Sequence, residues 1–326
     1  MRILITGATG LLGNNLARLA TSRGHDVWTL SRSTSDHPAL KGLSTRQISV
    51  DLSKKGFEES LEHLNVDVVV HAAALIHIGW RKVEESMQIN REGTQAILDW
   101  AARKSIRAIY ISTVNVLALG NQDAPADEET VGDGQIECAY VQSKRAAQAV
   151  CDRWIKSGAD CYAVYPGFMI GPYDWQLSSA RMIQALQRFQ PWAPAGGCSV
   201  CDPRDVAETI LKMAIVGGKH RHYILAGENL RYFDLWSKIA KKLNTRPPVV
   251  AMRRPARVIG SWLANTLNRF STNERDFNSA AIAMSQQFHY YSSNRAEQEY
   301  GYTPRPVENS LTDSIDWLRE HRLLRS

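Results

Sequence analysis

The chain has 326 residues, with 44% hydrophobic and 22% charged residues, which suits a folded globular protein and excludes a disordered or low-complexity one. No apolar run reaches the length of a membrane span. A net charge of +6 suits a polyanionic small ligand or an anionic surface; the basic residues are scattered and carry no nucleic-acid motif, so no nucleic-acid partner is expected.

The first segment, RILITGATGLLGNNLARLATSR, reads as a strand at Ile3, Leu4 and Ile5, a glycine turn, and a helix from about Leu11. The strand is apolar throughout, the pattern of a parallel strand buried on both faces. Gly7 permits the tight turn, Gly10 lets a backbone approach a ligand, and Gly13 lets the helix sit close to the strand. Free N–H groups near Leu11 and Leu12 then face a pyrophosphate. The spacing is GxxGxxG, in a strand–turn–helix context that gives it meaning. Because the chain enters this strand at once, a signal peptide is not expected. Five cysteines give no disulfide framework, which points to a reducing cytoplasm.

His25 to Ser31 is the second predicted strand. A carboxylate at its end would select NAD(H) by accepting from the ribose 2′-OH, but Ser31-Arg32-Ser33 stand there. A small residue with an arginine suits a 2′-phosphate, so NADP(H) is expected over NAD(H), with a solvated Arg32 as the alternative. Gln47 to Val50 is a third strand, ending in Asp51-Leu52. Asp51 can accept from an adenine amino group or cap the turn that follows. Val66 to His71 is a fourth strand, and the small Ala72, Ala73 and Ala74 after it let a cofactor lie against the backbone.

Trp80 to Lys104 has helical periodicity, with Asn90 inside it, and Arg107 to Ser112 is a fifth strand running into Thr113. Gly120 to Gln135 reads as a loop whose carboxylates are solvated. Glu137 to Ser157 is a long helix carrying Tyr140 and Lys144, which share a face at i and i+4. Their proximity is expected to favour the phenolate, lowering the tyrosine pKa from about 10 and tuning it for proton transfer. Asp160 to Tyr165 is a sixth strand, and the aromatic segment Phe168 to Gly197 supplies either an apolar pocket or core. Cys198 to Cys201 is a lone CxxC that alternates like a strand, so no metal is expected. A helix at Asp202 to Val216, a strand at Arg221 to Ala226, and helices near Tyr232 to Leu243, Arg257 to Phe270 and Val307 to Arg319 complete the reading. The Arg257 to Phe270 stripe, preceded by Arg253 and Arg254, packs on its own domain or rests weakly on an anionic membrane surface.

With Gly7-x-x-Gly10-x-x-Gly13, Thr113 and Tyr140-x-x-x-Lys144, the chain resembles an extended short-chain dehydrogenase/reductase, within the NAD-dependent epimerase/dehydratase superfamily. Asp51-Leu52, His71-Ala72-Ala73-Ala74, Asn90-x-x-Gly93-Thr94, Pro166-Gly167, Gly171-Pro172 and Asp205-Val206-Ala207 extend the match. Tyr291 to Pro306 is similar to dihydroflavonol-reductase-like proteins, and the chain as a whole resembles the dihydroflavonol-reductase-like and 3β-hydroxysteroid-dehydrogenase-like branch. The resemblance implies an α/β fold: a Rossmann-type doubly wound parallel sheet with a smaller, mostly helical C-terminal substrate domain. The cofactor-binding domain would span residues 1–170, with 198–227 returning to it, and the substrate region residues 171–197 and 228–326.

By the same resemblance, Tyr140 is the general acid/base, Lys144 holds the nicotinamide ribose, and Thr113 bonds the substrate oxygen in place of the usual serine. Thr9, Pro166, Gly167 and Met169 join the cofactor contacts named above, and Ile76, Trp80, Asn115, Phe168 and Tyr173 face the substrate. Asn90 supports the framework. Relatives often form homodimers through two long helices, here the segments 80–104 and 137–157, though nothing in the sequence requires it.

Departures from the pattern narrow the substrate. Val114-Asn115 replace the Asp-Glu of sugar-nucleotide dehydratases, Val116-Leu117-Ala118 the Val-Tyr-Gly of epimerases, and Ala195-Gly196-Gly197 the arginine that meets a diphosphate. Each change removes a polar handle, so an apolar cyclic alcohol or ketone is expected as the small-molecule substrate. Nucleotide-sugar epimerisation is the second reading, and a non-catalytic NADP(H)-binding regulator the third.

Overall fold

The computed structural model describes residues 1–32, 37–252 and 278–324. The basic stretch 257–270, with Arg253 and Arg254 before it, lies outside the described residues, as does Ser33. Seven parallel strands form the main sheet: β1 (Arg2–Thr6), β2 (Asp26–Ser31), β3 (Thr45–Ser49), β4 (Val68–His71), β5 (Arg107–Ile111), β6 (Cys161–Pro166) and β10 (His222–Leu225). Their order is β10-β6-β5-β4-β1-β2-β3, so the direction of winding reverses beside β1. In open α/β sheets the crevice at such a reversal is where ligands bind.

Alternation along β1 explains the two-sided burial. Ile3 and Ile5 enter one core with Leu12 and Leu16 of α1 (Leu11–Ser22) and Val206 and Ile210 of α6 (Pro203–Val216). Leu4 faces the other way, towards Ile97 and Trp100 of α3 (Gly93–Arg103) and Ala147 and Val150 of α4 (Ala139–Lys156). A sheet covered by helices on both faces has no use for polar alternation, which is why its central strands read as apolar runs, whereas the edge strand β3 (TRQIS) stays polar and partly exposed.

The segment 80–104 is not one helix. Lys82 adopts a left-handed conformation (φ 58°). Then α2 (Val83–Ser86) passes into a π-helical turn at Met87–Glu92 before α3 begins. Such widened turns are commonly placed where one side chain must be re-aimed, and this one carries Asn90.

The loop before α4 also departs from expectation. The Glu128 side chain is buried, not solvated: its Oε1 accepts from the Ile224 N–H at 2.8 Å, at the edge strand β10. Burial raises its pKa above the ordinary carboxylate value.

A smaller sheet stands beyond the ends of β6 and β10. In it β9 (Gly197–Cys201) pairs in parallel with β7 (Phe168–Met169) and β13 (Phe288–His289), and antiparallel with β11 (Glu228–Arg231). The CxxC residues thus lie on β9, and both thiols are free and buried. Under this sheet α5 (Ala180–Ala185), α7 (Tyr232–Lys242) and α10 (Val307–Glu320) share a core built on Ile183, Leu235, Ile239, Leu311 and Ile315. A two-residue pair, β8 (Trp192–Ala193) with β12 (Val250–Ala251), lies at its margin. Two short helices complete the chain, α8 (Ser279–Met284) and α9 (Asn294–Tyr300). No helix among the described residues is long and apolar enough to cross a membrane.

Candidate active site

The turn after β1 is shaped by what cannot fit in it. Gly7 has φ +73°, and a Cβ there would lie 2.7 Å from the Ala73 nitrogen. The Gly10 N–H closes the turn on the Gly7 carbonyl at 2.9 Å, and a Cβ on Gly13 would strike that same oxygen at 2.3 Å. The glycines therefore bring three backbones together: the turn, the start of α1 and the Ala72-Ala73 segment after β4. Gly10 is the N-cap of α1 and offers no side chain to it, and the first turn carries no carboxylate. The partial positive charge at this helix end is thus left for an external anion. Thr9 lies half-buried within the turn, just ahead of Leu11 and Leu12.

Behind the turn runs a buried chain of polar groups. The Ala73 N–H donates to Thr6 Oγ1 at 3.0 Å, and that hydroxyl meets His71 Nδ1 at 2.8 Å. His71 Nε2 lies 3.1 Å from Thr94 Oγ1, which donates to the Asn90 carbonyl at 2.5 Å. With Thr94 committed as a donor, its oxygen accepts from Nε2–H, and Nδ1 accepts from Thr6. This assigns a neutral His71. Burial, with the Lys144 charge added, drives its pKa down to about 3, which agrees.

Asn90 completes the frame. Its Oδ1 accepts from the Leu75 N–H at 2.7 Å, and its Nδ2 donates to the Leu75 carbonyl at 2.9 Å and to Ser143 Oγ at 2.9 Å. Ser143 in turn donates to the Tyr140 carbonyl at 3.0 Å. One carboxamide thus couples the backbone after Ala74 to the helix that carries Tyr140.

Thr113 follows β5 and caps a short 3₁₀ turn (Val114–Val116), its hydroxyl accepting from the Asn115 N–H at 3.3 Å. It lies within hydrogen-bonding reach of the Tyr140 phenol. Tyr140 is buried where the start of α4 meets α8, in a cluster with Cys138, Val141, Ala280 and Met284.

Here the expectation of a lowered tyrosine pKa is corrected. Burial pushes the phenol up to about 12, and the Thr113 hydrogen bond offsets only part of that. Lys144 does not offset this burial: its ammonium is spent on the Ile111 carbonyl at 2.7 Å, over the Tyr110 ring, and its own burial lowers it to about 7. Shared helical face is a statement about direction; desolvation decided the magnitude.

At the far end of the cleft, Arg32 is exposed at the end of β2. Asp51 spends one oxygen, Oδ1, on the Ser53 N–H (3.0 Å) and hydroxyl (2.7 Å), so it caps the turn after β3. Those bonds, with the Lys54 and Arg32 charges, hold its pKa below the usual carboxylate value. Leu52 packs half-buried, its carbonyl beneath Gly93.

The residues expected at the substrate separate into two groups. Ile76 and Trp80 are exposed on the loop after β4. That loop is tied to α4 by an Ala139 N–H bond to the Gly79 carbonyl (2.8 Å), and to α8 by Trp80 Nε1 donating to Ser279 Oγ (2.8 Å). Asn115 flanks Thr113, and Phe168 and Met169 follow Pro166-Gly167 on β7, where a Cβ on Gly167 would strike the Ser199 carbonyl at 2.6 Å. Tyr173 sits elsewhere: it packs under the Arg18 guanidinium at 4.0 Å and beside Trp317, between α1 and α10. Sequence reasoning did not reach Thr6, Ser143 or His289. Thr6 and His71 are register partners on β1 and β4, a relation that only the strand pairing reveals.

The chain is 26% identical over 333 residues to sterol demethylase protein B of Methylococcus capsulatus (strain ATCC 33009 / NCIMB 11132 / Bath), covering 99% of this chain and 100% of that protein. It is 27% identical over 339 residues to a putative dihydroflavonol 4-reductase of Synechocystis sp. (strain ATCC 27184 / PCC 6803 / Kazusa), covering 97% of this chain and 94% of its relative. Among solved structures, gox2253 superposes with a TM-score of 0.83 at 29% identity, covering 99% of each chain. The model of the NAD dependent epimerase/dehydratase family matches residues 3–223. The chain belongs to that family, and is an NAD(P)-dependent oxidoreductase of the extended short-chain dehydrogenase/reductase type.

Proposed function

We propose that the protein interconverts a secondary alcohol and a ketone on a largely apolar cyclic substrate, using NADP(H). The observation that carries this reading is the Thr113–Tyr140 pair: two hydroxyls within hydrogen-bonding reach, buried among apolar side chains. A phenol held neutral is a proton donor, the form that carbonyl reduction needs. In this reading Thr113 holds the substrate oxygen, Tyr140 passes a proton to or from it, and Lys144 holds the nicotinamide ribose.

The residues present fit a dinucleotide. The uncapped start of α1 suits a pyrophosphate, and the Gly7 to Ala73 approach leaves a backbone floor without side chains. When bound, the nicotinamide supplies or accepts the hydride. Gly7, Gly10 and Gly13 with Leu11 and Leu12 would hold the diphosphate, Ala72 to Ala74 would line the floor beneath the cofactor, and Pro166, Gly167 and Met169 would contact its nicotinamide end. Arg32, with serine instead of a carboxylate at position 31, supports NADP(H) over NAD(H).

Exposed Ile76 and Trp80 beside the start of α4, and half-buried Phe168, support an apolar substrate. The names of the two relatives, which speak of sterol demethylation and dihydroflavonol reduction, point the same way. The test is titration with each nicotinamide cofactor, followed by a panel of steroid-like, flavonoid-like and alicyclic ketones. Consumption of NADPH on that panel is expected. Tightly co-purified cofactor with no net consumption, but turnover of a nucleotide sugar, would replace this reading with epimerisation.

A further inference from the structure

His289 ends β13 with 4% of its surface exposed; its ring is turned to the Met284 backbone, and neither nitrogen makes a well-formed hydrogen bond within the protein. An unsatisfied buried polar group costs about 1–3 kcal/mol, so native proteins retain few without a reason. Burial keeps this ring neutral, with its pKa down to about 4, so at pH 7 it presents one donor and one acceptor.

Its neighbours place it beside the elements that carry Tyr140 and Thr113. The ring lies against the backbone of Met284, and Met284 shares its apolar cluster with Tyr140 and Cys138. Two residues further on, the Tyr291 hydroxyl donates to the Val114 carbonyl at 3.0 Å, next to Thr113, and accepts from Gln135 Nε2 at 3.2 Å. Gln135 is itself buried, and its Oε1 is unpartnered. On its other side β13 adjoins β9, which further along the same edge pairs with Phe168 and Met169. The start of α8 is fastened to the loop that bears Ile76 and Trp80, through Asn278 Nδ2 donating to the Ile78 carbonyl at 2.7 Å. The α8–β13 segment is thus a wall joined at three points to the elements around Tyr140 and Thr113, and unpaired polar atoms stand in it.

We infer that His289 is a substrate-recognition residue that hydrogen-bonds a second polar substituent, a hydroxyl or a carbonyl, on the otherwise apolar cyclic substrate. The inference rests on the oxidoreductase reading above and adds to it: the substrate carries two oxygens, one at the reacting carbon and one that meets the imidazole. A site with an unpaired buried donor and acceptor discriminates against an analogue lacking the matching group, because binding then leaves those atoms unsatisfied.

The experiment compares wild type, His289→Phe and His289→Gln on paired cyclic ketones that differ only in a second hydroxyl or carbonyl. Wild type should prefer the doubly oxygenated member in KM. His289→Phe should raise KM for that member at least tenfold, leave the mono-ketone within about threefold, and change kcat little; His289→Gln, which keeps a donor and an acceptor, should recover most of the loss. Equal changes for both members, or an unchanged KM ratio, would show that the ring serves packing alone and overturn the inference while leaving the oxidoreductase reading intact. If wild type turns over no ketone of the panel, that reading falls, and this inference with it.

Discussion

The Lys144 ammonium donates to the Ile111 carbonyl oxygen at 2.7 Å, fastening α4 to the end of β5 from within the core. The bond holds a cation where water is excluded, and burial lowers the lysine from 10.5 to about 7. An unfolded chain keeps this proton up to about pH 10.4, whereas the folded one releases it above about pH 7. Between those values the unfolded state binds more protons, so stability rises with pH across that window, and the penalty is complete below it. Lys144→Met removes the penalty along with one hydrogen bond, itself worth about 1 kcal/mol. Calorimetry should therefore show the inactive variant melting several degrees above wild type at pH 6 to 7, with the gap closing towards pH 10. A gap that stays constant with pH, or a less stable variant at pH 6, would refute this account of the lysine.

Tyr140→Phe tests the proton donor. Removing the phenol oxygen should lower kcat roughly a hundred- to ten-thousandfold, the usual worth of general acid catalysis. Cofactor binding, followed by fluorescence titration, should be unchanged, since the hydroxyl faces Thr113 and not the glycine turn. Thr113→Val should give a smaller loss, because it removes a partner of the oxygen and not the proton itself. Retained turnover in Tyr140→Phe would dismiss the mechanism.

What the sequence revealed follows from which features are local. The central parallel strands were legible because burial on both faces leaves an apolar run, as in Val68–His71. The glycine spacing was legible because each position answers a steric demand of its own turn. The pKa values at Tyr140 and Lys144 were not. Their direction depends on Met284 and Ala280 closing over α4 from far along the chain, and on a carbonyl of β5. The π-helical turn at Met87–Glu92 leaves no trace in a 3.6-residue periodicity, and Glu128 reads as one acidic loop residue among several until β10 arrives beside it. His289 sits on a two-residue strand, too short to show a pattern.

Asn90 offers a test of positioning without contact to substrate. Its carboxamide grips both polar atoms of the Leu75 peptide and Ser143 at 2.7–2.9 Å. Asn90→Ala leaves three partners unsatisfied in a buried setting, which should cost about 2–4 kcal/mol of stability, seen as a lower denaturant midpoint. Because the clamp sets α4 against the loop bearing Ala72 to Leu75, kcat should fall tenfold or more at saturating substrate in the fraction that remains folded. A destabilised variant with wild-type kcat would make the clamp purely structural.

Cofactor choice should reside at the end of β2. Arg32 is exposed there, close enough to Asp51 for its charge to lower that carboxylate's pKa, so a 2′-phosphate near the ribose would meet one guanidinium and one carboxylate already committed to Ser53. Arg32→Ala removes the cation and should raise KM for NADPH at least tenfold while leaving that for NADH within about twofold, since a charge-assisted bond to phosphate is worth about 1.5–3 kcal/mol. Ser31→Asp adds the opposite charge beside the same ribose. It should repel the phosphate and accept from a free 2′-OH, so that NADH becomes the better substrate by kcat/KM. Salt gives an independent check: the NADPH preference of wild type should shrink as ionic strength rises, because the guanidinium is open to screening. If both variants keep the wild-type ratio, Arg32 is a solvated surface residue and the preference for NADP(H) has no basis at this position.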